Sequence, residues 1–269
     1  MQQAEISAAG FELDLLLEAF VGISKAQRLS YPEQLLGQDE MARIEAALSR
    51  REAGEPLQYL LGWWEFYGRR FAVGPGVLIP RADTEILVEQ ALAELANTPS
   101  PKVADLCAGS GCVGITVACE RPDAQIVLLE LSPQAAAYCN KNSKALAPRC
   151  RFLQADVLRT TAGLTGLDAV LSNPPYIPSE GISGLQREVR QEPAMALDGS
   201  ADGLRFYRGI PLLWRKALKP GGLLGFEIGF DQGQAVRDLL ADAGFSDIRV
   251  VKDYSGNDRV VLGRNHMGR

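Results

Sequence analysis

From position 103 onwards, short apolar segments alternate with segments of helical periodicity, and this alternation constrains the fold more than any other feature. Strands are predicted at 103–106, 126–129, 151–153, 169–171, 223–228, 248–251 and 259–262, with helices at 113–119, 133–144, 206–217 and 232–243. A further apolar helix precedes them, and Asp83 or Thr84 can cap it. Elements that alternate in this way build a mostly parallel sheet with helices on both faces, so the sequence predicts an α/β fold.

The N-terminal part has a different pattern, which indicates a small helical domain. Its first predicted helix carries apolar residues at helical spacing, namely Leu13, Leu16, Leu17 and Phe20. Ser30 and Glu33 form a capping-box pattern beside Pro32, which predicts the start of a second helix. A third helix fits 40–53, ahead of a glycine and a proline.

A junction between the two parts is predicted by a change of residue types. Aromatic and β-branched residues at 60–73 surround Tyr67 and Gly68, a pattern typical of a β-hairpin. Glycines and prolines at 74–80 then mark a linker. We therefore divide the chain of 269 residues into a helical domain at 1–58, a hairpin linker at 59–80 and a catalytic domain at 81–269.

Charge and hydropathy argue against a nucleic-acid-binding or membrane protein. The net charge of −5 and the pI near 5.1 provide no global cationic field for nucleic acid. A local basic patch could still form, from Arg50, Arg51, Arg69 and Arg70. No apolar run approaches the roughly 20 residues that cross a bilayer. No secretory signal is recognisable either, so we expect a cytoplasmic protein.

The residue types that usually bind metals suggest no metal site. The five cysteines are an odd number without a C-x-x-C pair, which favours buried thiols over disulfides or zinc ligands. The one histidine, His266, lies in a polar tail and offers neither acid–base catalysis nor metal ligation. We therefore expect chemistry without a metal.

A glycine-rich turn follows the first strand of the α/β part. Gly109, Gly111 and Gly114 fit the pattern G-x-G-x-x-G, and Glu130 ends the next strand. Glycines let a nucleoside ligand approach the backbone there, and a carboxylate on the second strand can accept hydrogen bonds from ribose hydroxyls. NAD and S-adenosylmethionine both carry a ribose, so the motif alone does not distinguish them.

Other residues favour S-adenosylmethionine. Asp105 lies where a carboxylate could meet the methionine ammonium, whereas a pyrophosphate prefers the bare N-terminus of a helix. Asp156, after the third strand, could accept from the adenine amino group, with Val157 beside the ring. An NAD-linked oxidoreductase remains an alternative, but it lacks a plausible acid or histidine at a hydride site.

The strand predicted at 169–171 leads into Asn173-Pro174-Pro175-Tyr176, on the same edge of the sheet as the glycine turn. The side-chain oxygen of Asn173 and the backbone oxygen of Pro174 can each accept one N–H of a planar nitrogen, whose remaining direction then faces the methyl group. Tyr176 offers a flat face to the same group. These residues predict methyl transfer to a planar amide or amine nitrogen, and a flipped-out base would also suit them.

With these motifs in order, the chain resembles, over nearly its whole length, the HemK/PrmC family of protein-glutamine methyltransferases that modify peptide chain release factors. The matching segments besides the glycine turn and 173–176 are 54–59, 62–66 with Gly68, 77–85, 192–193, 202–204 and 227–229. The tetrapeptide N-P-P-Y alone also belongs to adenine and guanine amino-group methyltransferases. The co-occurrence of all these segments is specific to the family.

The resemblance implies a class I S-adenosylmethionine-dependent methyltransferase with a Rossmann-like, mostly parallel sheet, a small N-terminal helical domain and a connecting β-hairpin. It implies methylation of the glutamine in the Gly-Gly-Gln motif of class I release factors, which supports translation termination, and release of S-adenosylhomocysteine. The N-terminal domain would then recognise the release factor. We expect a monomer with no metal, no stable nucleic-acid partner and no membrane association.

The predicted site residues fall into two groups. The predicted cofactor contacts are Asp105, Cys107, Ala108, Gly109, Ser110, Gly111, Glu130, Asp156, Val157 and Asn173. The predicted glutamine contacts are Leu78, Asn173, Pro174, Pro175 and Tyr176, of which Asn173, Pro174 and Tyr176 would be catalytic. Cys107 and Ala108 stand where the family often has glycine and threonine, and Glu130 stands where aspartate is common. The segment 178–205 could be a lid over the glutamine or a surface loop.

Overall fold

Four helices and a hairpin form the N-terminal part of the structure, a computed structural model that describes residues 8–266. The elements are α1 (Ala9–Val21), α2 (Lys25–Ser30), α3 (Gln38–Glu52), α4 (Leu57–Leu61), β1 (Trp63–Phe66) and β2 (Arg69–Ala72). Leu16, Ile44 and Leu60 are buried together between α1, α3 and α4. The helices predicted around Leu16 and at 40–53 are therefore present, within a few residues of their expected bounds.

The capping box predicted at Ser30 and Glu33 is wrong. Helix α2 begins after Ser24, whose hydroxyl accepts from the backbone N–H of Gln27 at 3.3 Å. Ser30 is instead the last residue of that helix. Pro32 explains the difference, since a proline disfavours the helical conformation of the residue before it. Tyr31 accordingly leaves the helix with φ −131° and ψ 65°.

The hairpin forms as predicted. Strands β1 and β2 pair antiparallel from Trp63 opposite Ala72 to Phe66 opposite Arg69. Tyr67 and Gly68 make the two-residue turn with φ of 51° and 68°, the positive values that match the twist of paired strands. The hairpin is thus a tight connection rather than a flexible linker.

The catalytic part consists of a seven-stranded sheet covered by helices. Its strands are β3 (Lys102–Leu106), β4 (Gln125–Glu130), β5 (Arg151–Gln154), β6 (Leu167–Ser172), β7 (Leu218–Glu227), β8 (Phe245–Lys252) and β9 (Asp258–Asn265), and its helices are α5 (Glu85–Leu95), α6 (Cys112–Glu120), α7 (Pro133–Leu146), α8 (Arg205–Trp214) and α9 (Gly233–Asp242). The strand order is β5-β4-β3-β6-β7-β9-β8, and β9 alone runs opposite to the other six strands. The predicted α/β fold with a mostly parallel sheet is confirmed.

Two apolar layers enclose this sheet because successive side chains of a strand point to opposite faces. In β3, Val103 packs with α5, α6 and α7, whereas Ala104 packs with α8 and α9. Trp214 of α8 is fully buried, and its indole N–H donates to the carbonyl oxygen of Val157 at 2.8 Å. The helix thereby holds the loop after β5 in place.

The predicted cap of α5 is correct in position, since Thr84 directly precedes the helix, but it makes no side-chain capping bond. A single 3-10 turn, Ala82–Thr84, leads into the helix, and neither Asp83 nor Thr84 caps it with a side chain. Asp83 instead pairs with Arg259 at 3.3 Å. The tight turn already supplies helical backbone geometry, so no extended cap residue precedes α5.

The segment between β6 and α8 folds back on itself through short 3-10 turns. Ile177 receives a hydrogen bond from Gly199 and donates one to Leu197, so the two ends of the segment lie side by side. In its middle, Glu192 is buried, accepts from the backbone N–H of Ile79 at 2.9 Å and forms an ion pair with Arg81. The segment 178–205 is therefore packed onto the hairpin linker.

Each of the four arginines of the possible basic patch interacts with another side chain. Arg51 is buried and pairs with Glu12 and Glu188, Arg50 pairs with Glu55, and Arg69 pairs with Glu120. Arg70 stacks over the ring of Trp63 at 3.9 Å. Three of the four arginines are therefore paired with carboxylates, and the fourth contacts an aromatic ring. No helix within 8–266 has the length and apolar character needed to cross a bilayer.

Replacement of Asn142 by alanine should destabilise the fold. Its side chain accepts from Ala72 N–H at 2.7 Å and donates to the carbonyl oxygens of Ala72 and Ser110, which ties α7 to the hairpin and the glycine turn. Because three backbone groups lose partners, we expect the free energy of unfolding in urea to fall by about 1–3 kcal/mol. Asn140→Ala is the matched control, since Asn140 bonds only within α7. Equal midpoints for the two variants would contradict this role.

Candidate active site

A cavity of about 380 Å³ opens at the carboxyl edge of the sheet, where β3, β4 and β6 end. One wall is the glycine turn between β3 and α6. The opposite wall contains Asn173 and Pro175 after β6, with Leu78 from the linker. The segment 178–205 closes a third side through 193–196 and Asp198. The segment 178–205 therefore forms part of the cavity wall in this structure.

The glycine turn keeps its shape because side chains would not fit there. Gly111 directly precedes α6 with φ 82°, and a Cβ at this position would lie 2.6 Å from Cδ1 of Ile115. A Cβ on Gly114 would lie 2.5 Å from Leu128 and 2.9 Å from Cβ of Asp105. Gly111 itself does not line the cavity, so its contribution is to the conformation of the turn.

Cys107 occupies the first position of the turn in the left-handed region, with φ 56°. Residues with a Cβ rarely adopt this conformation, whereas glycine adopts it freely. Its side chain lines the cavity, as do Ala108, Gly109 and Ser110. Burial raises the pKa of the Cys107 thiol strongly, which favours the neutral thiol over the thiolate.

Asp105 is a buried carboxylate on the floor of the cavity. It is 1% exposed, and its Oδ2 accepts from the backbone N–H of Gly114 at 2.8 Å. Burial raises the pKa of this carboxyl to about 7, partly opposed by the Gly114 N–H and reinforced by the charge of Glu130. A cation bound beside it would favour the ionised form.

Glu130 fastens the end of β4 to the glycine turn. Its Oε1 accepts from the N–H groups of Leu131 and Ser132, both at 2.8 Å, and its Oε2 accepts from Gly109 at 2.9 Å. An ionised carboxylate has about four acceptor positions, so one remains for a ligand hydroxyl. Glu130 lines the cavity, where that position is available.

Asp156 and Val157 form the cavity wall beyond β5. One carboxylate oxygen of Asp156 accepts from the backbone N–H of Leu158 at 2.9 Å, and the other pairs with Arg159 at 3.2 Å. Arg159 is largely exposed, so water screens this pair and it contributes little. Both Asp156 and Val157 line the cavity beside Leu158.

The residues predicted to bind the glutamine are divided between two places. Leu78, Asn173 and Pro175 line the cavity. Pro174 is buried behind it, and Tyr176 lines a neighbouring depression with Phe230. Of the predicted residues of both groups, Gly111, Pro174 and Tyr176 are those that the structure does not place on the cavity surface.

Tyr176 is held by two residues that the sequence reasoning missed. Its hydroxyl donates to Oε1 of Glu227 at 3.4 Å, and its carbonyl oxygen accepts from Nε2 of Gln232 at 2.9 Å. Glu227 is 1% exposed, and burial raises the pKa of its carboxyl to about 7. Two sequence signals pointed to Glu227: it lies in the matching segment 227–229, and it falls near the end of a predicted strand.

Further cavity residues were also missed. They are Gly76, Pro80, Arg81, Cys112, Val113, Leu129, Leu131, Ser132, Ala135, Ala155, Leu158, the stretch 193–196, Asp198, Arg205 and Phe206. Most come from segments without regular periodicity, so spacing could not indicate their position. Across 8–266, no cluster of histidine, cysteine, aspartate or glutamate has an arrangement that could hold a metal ion.

The cavity suits S-adenosylmethionine chemically. Three carboxylates, Asp105, Glu130 and Asp156, line it, and the cofactor carries three kinds of donor that carboxylates accept from, namely an ammonium group, ribose hydroxyls and an adenine amino group. Its remaining wall is largely apolar, as ligand cavities usually are, and includes Val113, Leu129 and Phe206.

Comparison with known proteins agrees with this chemistry. Residues 1–62 match the PrmC N-terminal domain, and 82–189 match the methyltransferase small domain. Among solved structures, the hMettl16 catalytic domain in complex with MAT2A 3'UTR hairpin 6 has a TM-score of 0.62 at 12% identity, covering 82% of each chain. A methyltransferase from Pyrococcus furiosus has a TM-score of 0.53 at 13% identity, covering 83% of this chain and 98% of that one. At these identities the structures establish only the Rossmann-like methyltransferase fold.

Curated relatives are much more similar in sequence. The release factor glutamine methyltransferase of Moorella thermoacetica is 42% identical, with 93% of this chain and 89% of that protein aligned. Its counterparts in Geobacter sulfurreducens and Escherichia coli are 39% and 37% identical, over 96% and 94% of this chain and 90% and 91% of those proteins. The chain therefore belongs to the release factor glutamine methyltransferase family.

Proposed function

We propose that this protein transfers a methyl group from S-adenosylmethionine to the side-chain amide nitrogen of the glutamine in the Gly-Gly-Gln motif of class I release factors. The observation that carries the proposal is the shared cavity. Asp105 and Glu130 stand on one wall and Asn173 on another, so a cofactor and an amide would meet inside one enclosed space. Full-length similarity to enzymes named for this reaction supports the same substrate.

S-adenosylmethionine supplies an electrophilic methyl group with a good leaving group, which leaves positioning as the main task of the protein. Asn173 Oδ1 and the carbonyl oxygen of Pro174 each accept one N–H of the glutamine amide and hold its nitrogen toward the methyl group. These acceptors favour the nitrogen as it becomes pyramidal. Pro174 and Pro175 restrict the backbone here, so little entropy is lost on binding. Tyr176, fixed by Glu227 and Gln232, supports that backbone.

The cofactor is held by the residues of the opposite wall. Asp105 would accept from the methionine ammonium, Glu130 from the ribose, and Asp156 from the adenine amino group, with Val157 against the ring. The backbone at 107–110 would lie along the ligand. Methyl transfer breaks the sulfur–methyl bond, forms the nitrogen–methyl bond and releases S-adenosylhomocysteine, and the methylated nitrogen then gives up one proton to water.

The division into 1–58, 59–80 and 81–269 gives each part a task. The N-terminal domain, with the hairpin, receives the release factor, since exposed apolar side chains such as Phe11, Leu29 and Leu35 are grouped in it. Arg51 joins this domain to the cavity wall through Glu188. We place the protein in the cytoplasm, because release factors act on cytoplasmic ribosomes.

The alternative is a nucleic-acid amino-group methyltransferase. The tetrapeptide would serve a flipped-out base equally well. The pairing of Arg50, Arg51 and Arg69 with carboxylates argues against a phosphate-binding surface in this region.

Label transfer distinguishes the two functions. The purified protein is incubated with methyl-labelled S-adenosylmethionine in three separate reactions. One contains a release factor, one contains the same factor with its motif glutamine changed to alanine, and one contains an oligonucleotide. We expect label on the unchanged release factor only. Label on the oligonucleotide without label on the release factor would overturn the proposed function.

Asn173→Ala should separate catalysis from cofactor binding. Loss of one acceptor aimed at the reacting nitrogen typically costs about a hundredfold in kcat. Calorimetric affinity for S-adenosylmethionine should change less than about threefold, because the carboxylates of the opposite wall remain. Asn140→Ala serves as the control away from the cavity. Equal losses of rate and affinity would mean that Asn173 supports the cofactor site instead.

Cofactor affinity should depend on pH through Asp105. Its pKa of about 7 means that the carboxyl is increasingly protonated below neutrality, and the neutral form cannot pair with an ammonium. We expect the dissociation constant to rise about tenfold between pH 7.5 and pH 6. Asp105→Asn should bind more weakly at pH 7.5 and lack this dependence, whereas titration of the cofactor amine affects both proteins. Identical pH dependence in the two would contradict the assignment.

A further inference from the structure

The proposed reaction requires the Asn173 side chain to face the substrate with the correct end. An asparagine amide has an oxygen that accepts and an NH₂ group that donates, on two arms of nearly equal size. Only the oxygen can take an N–H of the glutamine. The reversed orientation would oppose donor to donor, so a neighbouring group must distinguish the two ends.

Thr84 is in contact with one of these ends. Asn173 Nδ2 donates to Oγ1 of Thr84 at 3.2 Å. Thr84 is 1% exposed and does not line the cavity, so it is placed to act on Asn173 and not on a ligand. It closes the 3-10 turn Ala82–Thr84, which brings the start of α5 over the end of β6.

A hydroxyl alone does not determine an orientation, because it can donate as well as accept. Glu227 sets the direction in which the Thr84 hydroxyl donates. It ends β7, the parallel neighbour of β6, and its carboxylate interacts with the Thr84 hydroxyl, which lowers the pKa of Glu227 against the effect of burial. An ionised carboxylate can only accept, so above the pKa of Glu227 its charge favours a Thr84 hydroxyl whose hydrogen faces Glu227 and whose lone pairs face Asn173.

Burial raises the pKa of the Glu227 carboxyl to about 7, so the charged form predominates above that pH. Arg259 lowers its pKa, whereas Asp83 raises it, and the Tyr176 hydroxyl donates to Oε1. Oε2 of Glu227 is buried and, among the residues described, has no partner in full hydrogen-bond geometry. A buried acceptor with spare capacity attracts the nearest hydroxyl hydrogen strongly.

We propose that Thr84 is a positioning residue whose hydroxyl, polarised by Glu227, accepts the NH₂ group of Asn173 and thereby turns Oδ1 toward the substrate amide. This inference rests on the proposed function, because it concerns the same amide. Glu227, Thr84 and Asn173 then form, in that order, a series of interacting side chains behind the cavity. This series affects kcat and does not involve the carboxylates proposed to bind the cofactor.

The test compares Thr84→Val, Thr84→Ser and Glu227→Gln with the wild-type protein on a release factor. Valine keeps the volume of threonine but removes the hydroxyl, so both orientations of Asn173 become available. We expect kcat to fall about tenfold or more. Affinity for S-adenosylmethionine should stay within about twofold, because Thr84 lies outside the cavity. Thr84→Ser should restore kcat, since serine keeps the hydroxyl.

Glu227→Gln tests the polarity. A glutamine amide can donate to the Thr84 hydroxyl. The hydroxyl hydrogen of Thr84 is then free to be donated to Asn173 Oδ1, so the directions of both hydrogen bonds are reversed. We therefore expect a loss of kcat similar to that of Thr84→Val, with unchanged cofactor affinity. Thr116→Val is the matched control, because the Thr116 hydroxyl is also buried but has no hydrogen-bond partner in the described part of the chain. Its kcat should equal that of the wild type.

Each possible failure has a distinct meaning. A wild-type protein that does not methylate the release factor overturns the proposed function. If the wild-type protein methylates the release factor and the Thr84→Val variant has the same kcat, only the role of Thr84 is overturned. A Thr84→Ser variant as slow as Thr84→Val, or losses of rate and cofactor affinity in equal measure, would make Thr84 a packing residue and overturn the inference as well.

Discussion

The parallel pairing of β3 with β4 and β6 brings the ends of three strands together at one edge of the sheet. Strands that run in the same direction place the residues that follow them side by side, even when these are far apart in sequence. The glycine turn after β3, Glu130 at the end of β4 and Asn173 after β6 meet for this reason. The cavity, its acceptors and the chemistry that we propose all depend on this alignment.

Around that edge, the protein uses buried polar groups to hold backbone in place. Glu130 fastens the glycine turn, Gln232 fastens the backbone of Tyr176, and Asn142 joins α7 to the hairpin. Each of these side chains satisfies backbone groups that would otherwise lose hydrogen bonds on burial. Catalysis by positioning benefits directly, because a site held in this way loses little entropy when its ligands bind.

Much of this could be predicted from the sequence, where a local pattern dictates the structure. The alternation of elements gave the sheet, and two positive-φ residues, Tyr67 and Gly68, made the hairpin turn expected of them. The helix start at Ser30 was wrong because Pro32 ends a helix there, whereas α5 does begin directly after Thr84 but follows a 3-10 turn and has no side-chain cap. The wall at 193–196 and the buried Glu227 were missed, since their positions follow from tertiary packing that no spacing encodes.

The central claim is that Asn173 presents an acceptor to a glutamine amide at the cofactor edge of the sheet. A crystal structure with S-adenosylhomocysteine and a peptide that contains Gly-Gly-Gln tests this most directly. We predict the glutamine nitrogen within hydrogen-bond distance of Asn173 Oδ1 and the Pro174 carbonyl oxygen, with the cofactor sulfur in line behind it. A glutamine bound elsewhere, or facing the NH₂ end of Asn173, would contradict the account.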